Sequence, residues 1–394
     1  MISQRQLFLQ HVGQTSPSPL LLEIMGAEGI YLLGAGGEKY IDLIAGVSVS
    51  NLGHAHPAII KAVKDQVDKY MHLMVYGEYV QAPQVEFAQL LTDQLPDLLE
   101  SVYFVNSGSE ANEGAIKLAK RFTGRSEVVA FKKAYHGSTQ ALLSLMSDKN
   151  YTRAFRPLMP NVRLLDFNNE EDLNQITEKT ACVIAEPIQG EAGIVLPENN
   201  FLNKLRKRCN ETGSLLIFDE IQTGFGRTGA LFAFQKYQVW PDILSIAKAM
   251  GGGMPIGGFV ASKEIMDSLT NNPVLGHITT FGGHPVSAAA GLANLKVLLE
   301  NDIISEVEKK GLHLIKQLNH REIIGIYGTG LIYSVALDNS EKLFSFISRA
   351  IKNGLVSDWF LYNDSRFRIS PPLNITYDEL DEVAKIILKT LNEL

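Results

Sequence analysis

The chain has little cysteine, no long apolar run and no surplus of positive charge. Its 394 residues hold two cysteines, Cys182 and Cys209, with no CxxC or Cys/His spacing around either. That excludes a disulfide framework and a zinc-ligand cluster, and leaves two reduced thiols inside a strand and a helix. No stretch approaches the roughly 18 consecutive apolar residues of a membrane span. The opening Met-Ile-Ser-Gln-Arg-Gln-Leu-Phe lacks the basic segment, apolar run and cleavage site of a leader, so a cytoplasmic protein with no membrane partner is expected. Asp and Glu (43) outnumber Lys and Arg (36) for a net charge of −7, which leaves no basic footprint for nucleic acid. Internal repeats and Pro/Ser-rich linkers are also missing, which excludes solenoids and strings of tethered modules.

What is present is an ordinary globular composition, 45% apolar, 20% charged and 8% aromatic. The length exceeds the roughly 250–300 residues at which one core stops growing, so a large domain with a smaller companion is expected. Residues 29–33 and 40–44 make a hairpin. The Gly34-Ala35-Gly36-Gly37 between them leads into a strand and is turn material, not a dinucleotide loop. Ile59, Ile60, Val63, Val67 and Met71 recur at helical spacing and predict a core-facing helix. From residue 101 short apolar segments alternate with helices. Strands are predicted at 101–105, 128–131, 181–185, 215–218, 243–246 and 258–261, and helices at 109–122 and 201–212. This is an α/β pattern: a mainly parallel central sheet with helices on both faces. After a long helix at 286–299 the pattern shifts to a smaller α/β unit. The expected division is 1–50 as the N-terminal part of the small domain, 51–285 as the large domain, and 286–394 as linking helix and C-terminal small domain.

Parallel sheets collect ligands at the carboxyl ends of their strands. At the first such end stand Ser107, Gly108, Ser109 and Glu110, a capping-box pattern whose free helix amides suit an anion. Tyr135 follows the second strand, where an aromatic face can stack on a flat heterocycle. Glu186 and Glu191 follow the third. Asp219 comes directly after four apolar residues and needs a cation or several donors. Lys248 emerges from Ile246-Ala247, and a lysine desolvated there becomes a nucleophilic amine suited to Schiff-base chemistry. Each residue alone fits a structural role. Together they provide what pyridoxal phosphate requires: an amine, an acid for the ring nitrogen, a ring stacker and a phosphate cradle.

The run from Asp219 to Gly229 followed by Lys248 resembles the class III pyridoxal-phosphate aminotransferases of fold type I. Five further segments carry the same resemblance: Gly53-His54-Ala55-His56-Pro57, Asn106-Ser107-Gly108-Ser109-Glu110-Ala111-Asn112, Glu186-Pro187-Ile188-Gln189-Gly190-Glu191, Thr280-Phe281-Gly282-Gly283-His284-Pro285 and Arg368-Ile369-Ser370-Pro371-Pro372-Leu373. The resemblance implies that Lys248 links to the cofactor and shuttles a proton, and that Asp219 pairs with the pyridine nitrogen. It implies that Gln222 contacts the ring hydroxyl and that Ile221 and Tyr135 cover the two ring faces. Ser107, Gly108 and Ser109 would hold the phosphate, with Thr280 contributed by a second subunit, which implies a homodimer. His54 and His56 are structural in this reading, and no metal is expected.

Within the class, the chain looks most similar to the acetylornithine and ornithine aminotransferase branch, which moves an ω-amino group to a 2-oxo acid such as 2-oxoglutarate by ping-pong transfer. There a pair corresponding to Glu191 and Arg368 acts as a gate, the Glu masking the Arg until the oxo acid binds. One departure stands out. Ser138 occupies a position where the branch typically has an arginine for a substrate carboxylate, and serine cannot supply that fork. Tyr76-Gly77-Glu78-Tyr79 adds a carboxylate and two aromatics to the expected substrate loop, which suits a cationic or amine-bearing donor at least as well as an anionic one, so the expected ω-amino donor is acetylornithine-like, ornithine-like or a diamine. An aminomutase or racemase of the same fold, and a non-catalytic binding protein on this scaffold, are the alternative readings.

Overall fold

Three short antiparallel strands form near the start of the chain, β1 (Ile24–Glu28), β2 (Tyr31–Gly34) and β3 (Lys39–Asp42), in the computed structural model, which describes residues 3–394. The Gly-rich segment closes a tight turn, with the Gly34 N–H donating to Glu38 O at 2.8 Å. The central sheet contains β4 (Ser101–Val105), β5 (Glu127–Phe131), β6 (Val162–Leu165), β7 (Thr180–Ala185), β8 (Leu215–Asp219), β9 (Ile243–Ile246) and β10 (Gly257–Ala261). They lie in the order β4-β10-β9-β8-β7-β5-β6, and β10 alone runs antiparallel to its neighbours. Every residue of β7, β9 and β10 is buried, as expected for apolar strands covered on both faces. β6 escapes the sequence pattern because it is a four-residue edge strand with Arg163 exposed in its middle.

The helix Gly108–Thr123 covers one face through Ala111, Ala115, Leu118 and Ala119, and Phe259 of β10 fills the space that a side chain at Gly114 would need. Its cap differs from the expected box. Ser107 Oγ accepts the Glu110 N–H at 3.2 Å, but the Glu110 carboxylate reaches back to Asn106, which offers it a backbone N–H at 2.6 Å and a side-chain N–H at 2.8 Å. The helix Pro57–Lys69 also corrects an expectation. Ile59 is buried and Val63 half-buried, whereas Ile60, Val67 and Met71 are exposed, because the helix meets the helix Pro285–Glu300 along one edge only.

Beyond Pro285–Glu300 lie β11 (Gly325–Thr329), β12 (Ile332–Ala336), β13 (Leu355–Val356), β14 (Trp359–Phe360) and β15 (Asn363–Ile369), with the helices Ser340–Lys352 and Tyr377–Asn392 packed alongside. β11, β12, β15 and β14 form an antiparallel sheet, while β13 pairs in parallel with β3, so segments from both ends of the chain share one small sheet. One buried side chain fastens these parts together. The Arg227 guanidinium donates to Leu331 O at 2.9 Å, to Pro371 O and to Asn51 Oδ1. His54 is structural: its Nε2 lies 2.9 Å from Asp42 Oδ2. Both cysteines are free and buried, and burial pushes each thiol up to about 12. Among the described residues no His/Cys/Asp/Glu group could hold a metal ion, and no helix is long and apolar enough to cross a membrane.

Candidate active site

A cavity of about 200 Å³ opens at the carboxyl ends of the central strands. Register explains why its residues meet. Asp219 ends β8 opposite Ser245 of β9, three residues before Lys248, and Ala185 ends β7 opposite Phe218, placing Glu186 alongside. Ser107, Gly108, Ser109, Tyr135, Glu191, Asp219, Ile221, Gln222 and Lys248, all singled out from the sequence, line this one cavity. A larger cavity of about 840 Å³ shares Tyr135, Glu191 and Lys248 with it and is also lined by Ser138, Asp358 and Arg368.

Asp219 is held from both sides. Its Oδ2 accepts from Asn112 Nδ2 at 2.7 Å and lies 2.8 Å from His136 Nδ1, while Oδ1 accepts the Ile221 N–H at 3.0 Å. Burial alone would lower the His136 pKa, but the hydrogen bond and charge of Asp219 raise it overall. Asn112 and His136 were not picked out from the sequence. Asn112 closes the Asn106–Asn112 segment and His136 directly follows Tyr135, yet their common partner lies 107 and 83 residues away.

Glu186 accepts the Tyr135 N–H at 3.0 Å and the Gly190 N–H at 2.8 Å, fixing the two loops that flank the cavity. Its carboxyl is pushed up to about 7 by burial, with His136 and these amides pulling down and Asp219 pushing up. Gln222 occupies the space a side chain at Gly190 would need, and its buried Oε1 has no partner. The Lys248 amine is lowered from its ordinary pKa by burial. Glu191 partly offsets this and Arg368 adds to it. Lys248 also sits at φ 49°, a left-handed conformation unusual for a residue with a side chain.

At the mouth, Arg368 of β15 bonds two carboxylates. Its Nη2 lies 3.0 Å from Glu191 Oε1, and its Nε lies 2.7 Å from Asp358 Oδ1. The guanidinium stacks 4.4 Å from the Phe360 ring centroid, and its buried Nη1 has no partner. Burial would raise the Glu191 pKa, but Arg368 and Lys248 hold it below the usual carboxylate range. Asp358 is a further residue missed in the sequence. It reaches the site because β14 and β15 fold back on each other, the Arg368 N–H donating to Asp358 O at 2.9 Å.

Two expected site residues lie elsewhere in the protomer. Thr280 is exposed, in a segment where Val274, Leu275, Ile278 and Phe281 are exposed as well. Tyr76 lines a separate cavity of about 300 Å³ with Tyr103 and Thr279.

The donor set fits pyridoxal phosphate on this structure's own terms. The Gly108 and Ser109 amides at the helix start have no acceptor within the helix and face the cavity. Asp219, the unpaired Gln222 Oε1 and the depressed Lys248 amine would supply the remaining contacts that the ring and aldehyde need. Fold and site therefore define a pyridoxal-phosphate enzyme of fold type I.

The chain belongs to the class-III aminotransferases: the family model described as Aminotransferase class-III matches residues 12–391. It is 37% identical over 375 residues to the acetylornithine aminotransferase of Methanopyrus kandleri, covering 94% of each chain, and 35% identical to that of Bacillus cereus, covering 94% of this chain and 95% of the other. Among solved structures, the ornithine aminotransferase of Toxoplasma gondii superposes with a TM-score of 0.91 at 27% identity, over 98% of this chain and 94% of that one. A second structure of that enzyme reports pyridoxal phosphate at the active site.

Proposed function

We propose that this aminotransferase takes the amino group of an ω-amino donor and passes it to a 2-oxo acid such as 2-oxoglutarate in two half-reactions at one site. The observation that carries this reading is the Glu191–Arg368 pair, 3.0 Å apart in a cavity shared with Lys248. Transfer between two substrates of opposite charge demands a cation that can be masked and unmasked, and a carboxylate bound to a buried guanidinium is such a device.

When bound, pyridoxal phosphate supplies an aldehyde that condenses with amines and a ring that accepts the electrons left when a carbon loses a proton. Lys248 would hold the aldehyde end through its amine and, once free, would carry a proton as base and acid, a role its lowered pKa favours. Asp219 would hold the ring nitrogen and favour its protonated form. Asn112 and His136 fix its carboxylate, so this interaction costs little reorganisation. Tyr135 and Ile221, which line the same cavity, would cover the ring faces, and Gly108 and Ser109 would hold the phosphate.

In this reading Thr280, exposed on its own protomer, completes the phosphate end of a second copy's site, so the working unit is a cytoplasmic homodimer. Residues 1–50 and 286–394 act as a small domain against 51–285, which the β3–β13 pairing supports. The names of the curated relatives favour an acylated ornithine donor, and Ser138 argues against it. A panel of amino donors tested by single-turnover loss of the bound cofactor's visible absorbance decides the matter. An ω-amine should discharge the absorbance once and stop until a 2-oxo acid is added. Continued turnover of a donor alone would mark an isomerase and overturn the reading. Ser138→Arg should gain activity towards acetylornithine, and strong wild-type activity with that donor would remove Ser138 as its obstacle.

A further inference from the structure

Asp358 is a second carboxylate on Arg368, and its placement distinguishes it from Glu191. It takes the Nε edge of the guanidinium at 2.7 Å, while Glu191 takes Nη2 at 3.0 Å. Only the Oδ1 atom of Asp358 is used in this way, and the residue lines the same 840 Å³ cavity as Lys248 and Ser138. The cationic side chains lining that cavity are Lys248 and Arg368. Lys248 is committed to the cofactor, so one guanidinium faces two carboxylates and the cavity carries an excess negative charge while Glu191 is in place.

The direction of the Asp358 pKa agrees: burial raises it, and the pull of Arg368 does not fully compensate. Asp358 is half-buried, and a carboxylate with an oxygen unused at the wall of a cavity is stabilised by a cation brought by the ligand. Ser138, Thr15 and Gln140 add no charge of their own, and Leu143, Met146, Phe155 and Trp359 give the cavity an apolar stretch of wall. That surface suits a methylene chain running between two charged ends.

We infer that the donor is an α,ω-diamine: one amino group is transferred at Lys248 while the far ammonium binds the free oxygen of Asp358. This inference rests on the aminotransferase reading above and names its donor class. Asp358 has a second part in the other half-reaction. When Glu191 swings away, Asp358 still holds the Nε edge, so Arg368 presents Nη1 and Nη2 side by side to the oxo-acid carboxylate. The unpartnered Nη1 is the donor kept ready for that ligand.

The test compares three donors of equal chain length in the first half-reaction of the cofactor-loaded enzyme: a diamine, a monoalkylamine and an ω-amino acid. A charge-assisted contact to Asp358 should favour the diamine over the monoamine by about tenfold or more in kcat/KM, expressed mainly in KM. Asp358→Asn keeps an oxygen for Arg368 Nε but removes the charge. It should collapse the diamine-to-monoamine ratio to near one and shift the diamine-to-ω-amino-acid ratio by about tenfold towards the acid. A purely structural role would depress all three donors alike, and that result overturns the inference. Equal use of diamine and monoamine by the wild type overturns it without any variant and leaves the aminotransferase reading standing. If no donor of any class discharges the cofactor, both fall.

Discussion

Replacing Glu220 by glutamine should change the pH dependence of stability in one direction. Glu220 follows Asp219 and is fully buried. Its carboxyl is pushed up from 4.5 to about 7, chiefly by burial, against hydrogen bonds from Thr223 and the Phe234 and Ala233 amides and with Asp219 adding to the rise. The folded-state pKa thus lies above the unfolded one. Stability is fully present below 4.5 and declines as pH rises towards 7, because the unfolded chain ionises first. A shift of that size corresponds to about 3 kcal/mol lost across the window. Glutamine keeps an oxygen for the Phe234 N–H, which lies 2.7 Å away in the wild type, and can donate to the Thr223 hydroxyl without ever ionising.

The assay is thermal unfolding of both cofactor-loaded proteins from about pH 5 to about pH 8 at fixed protein and cofactor concentrations. The variant's melting temperature should rise relative to the wild type by roughly 3–6 °C between those limits. Glu186 titrates in the same window but is common to both proteins, so it cancels in the difference. Parallel curves would refute the reasoning, because they would mean that Glu220 does not take up its proton on folding.

Lys248→Ala should abolish turnover while the protein still binds pyridoxal phosphate through Asp219 and the Gly108 and Ser109 amides. Spectral titration checks this, and loss of binding altogether would place more of the affinity on the lysine than this geometry allows. Arg368→Ala should slow the 2-oxo-acid half-reaction by about a hundredfold, in line with removal of a charged, paired contact, and the amine half-reaction far less. Stopped-flow measurement of each half-reaction separates the two, and equal losses would contradict the gate.

Much of this architecture is legible in the sequence because apolar strands covered on both faces leave uninterrupted runs, as in β7 and β9, and the residue that ends such a run is placed by the run itself. Asp219 and Lys248 are found that way. Edges and surfaces are less legible. β6 is short and carries Arg163, and the apolar periodicity at Ile60, Val67 and Met71 describes a face that the protomer leaves exposed. The residues that hold others in place were the hardest to find. Asn112 and His136 matter only through Asp219, and Asp358 only through a hairpin that sets it beside Arg368. Local patterns cannot register partners that folding alone brings together.

The hydrogen bonds of Arg227 have a consequence for the order in which the protein assembles. They span 176 residues back to Asn51 and 144 forward to Pro371, so the loop that follows Asp219 cannot reach its final shape until the chain has left the ribosome as far as Pro371. Leu331 and Pro371 follow the last strand of the central sheet in the chain, so these bonds form only after every strand of that sheet has been synthesised. A nascent chain halted before Pro371 would therefore carry the strands of the central sheet and an unfinished cofactor pocket, which makes competence to bind the cofactor a report that synthesis has passed Pro371.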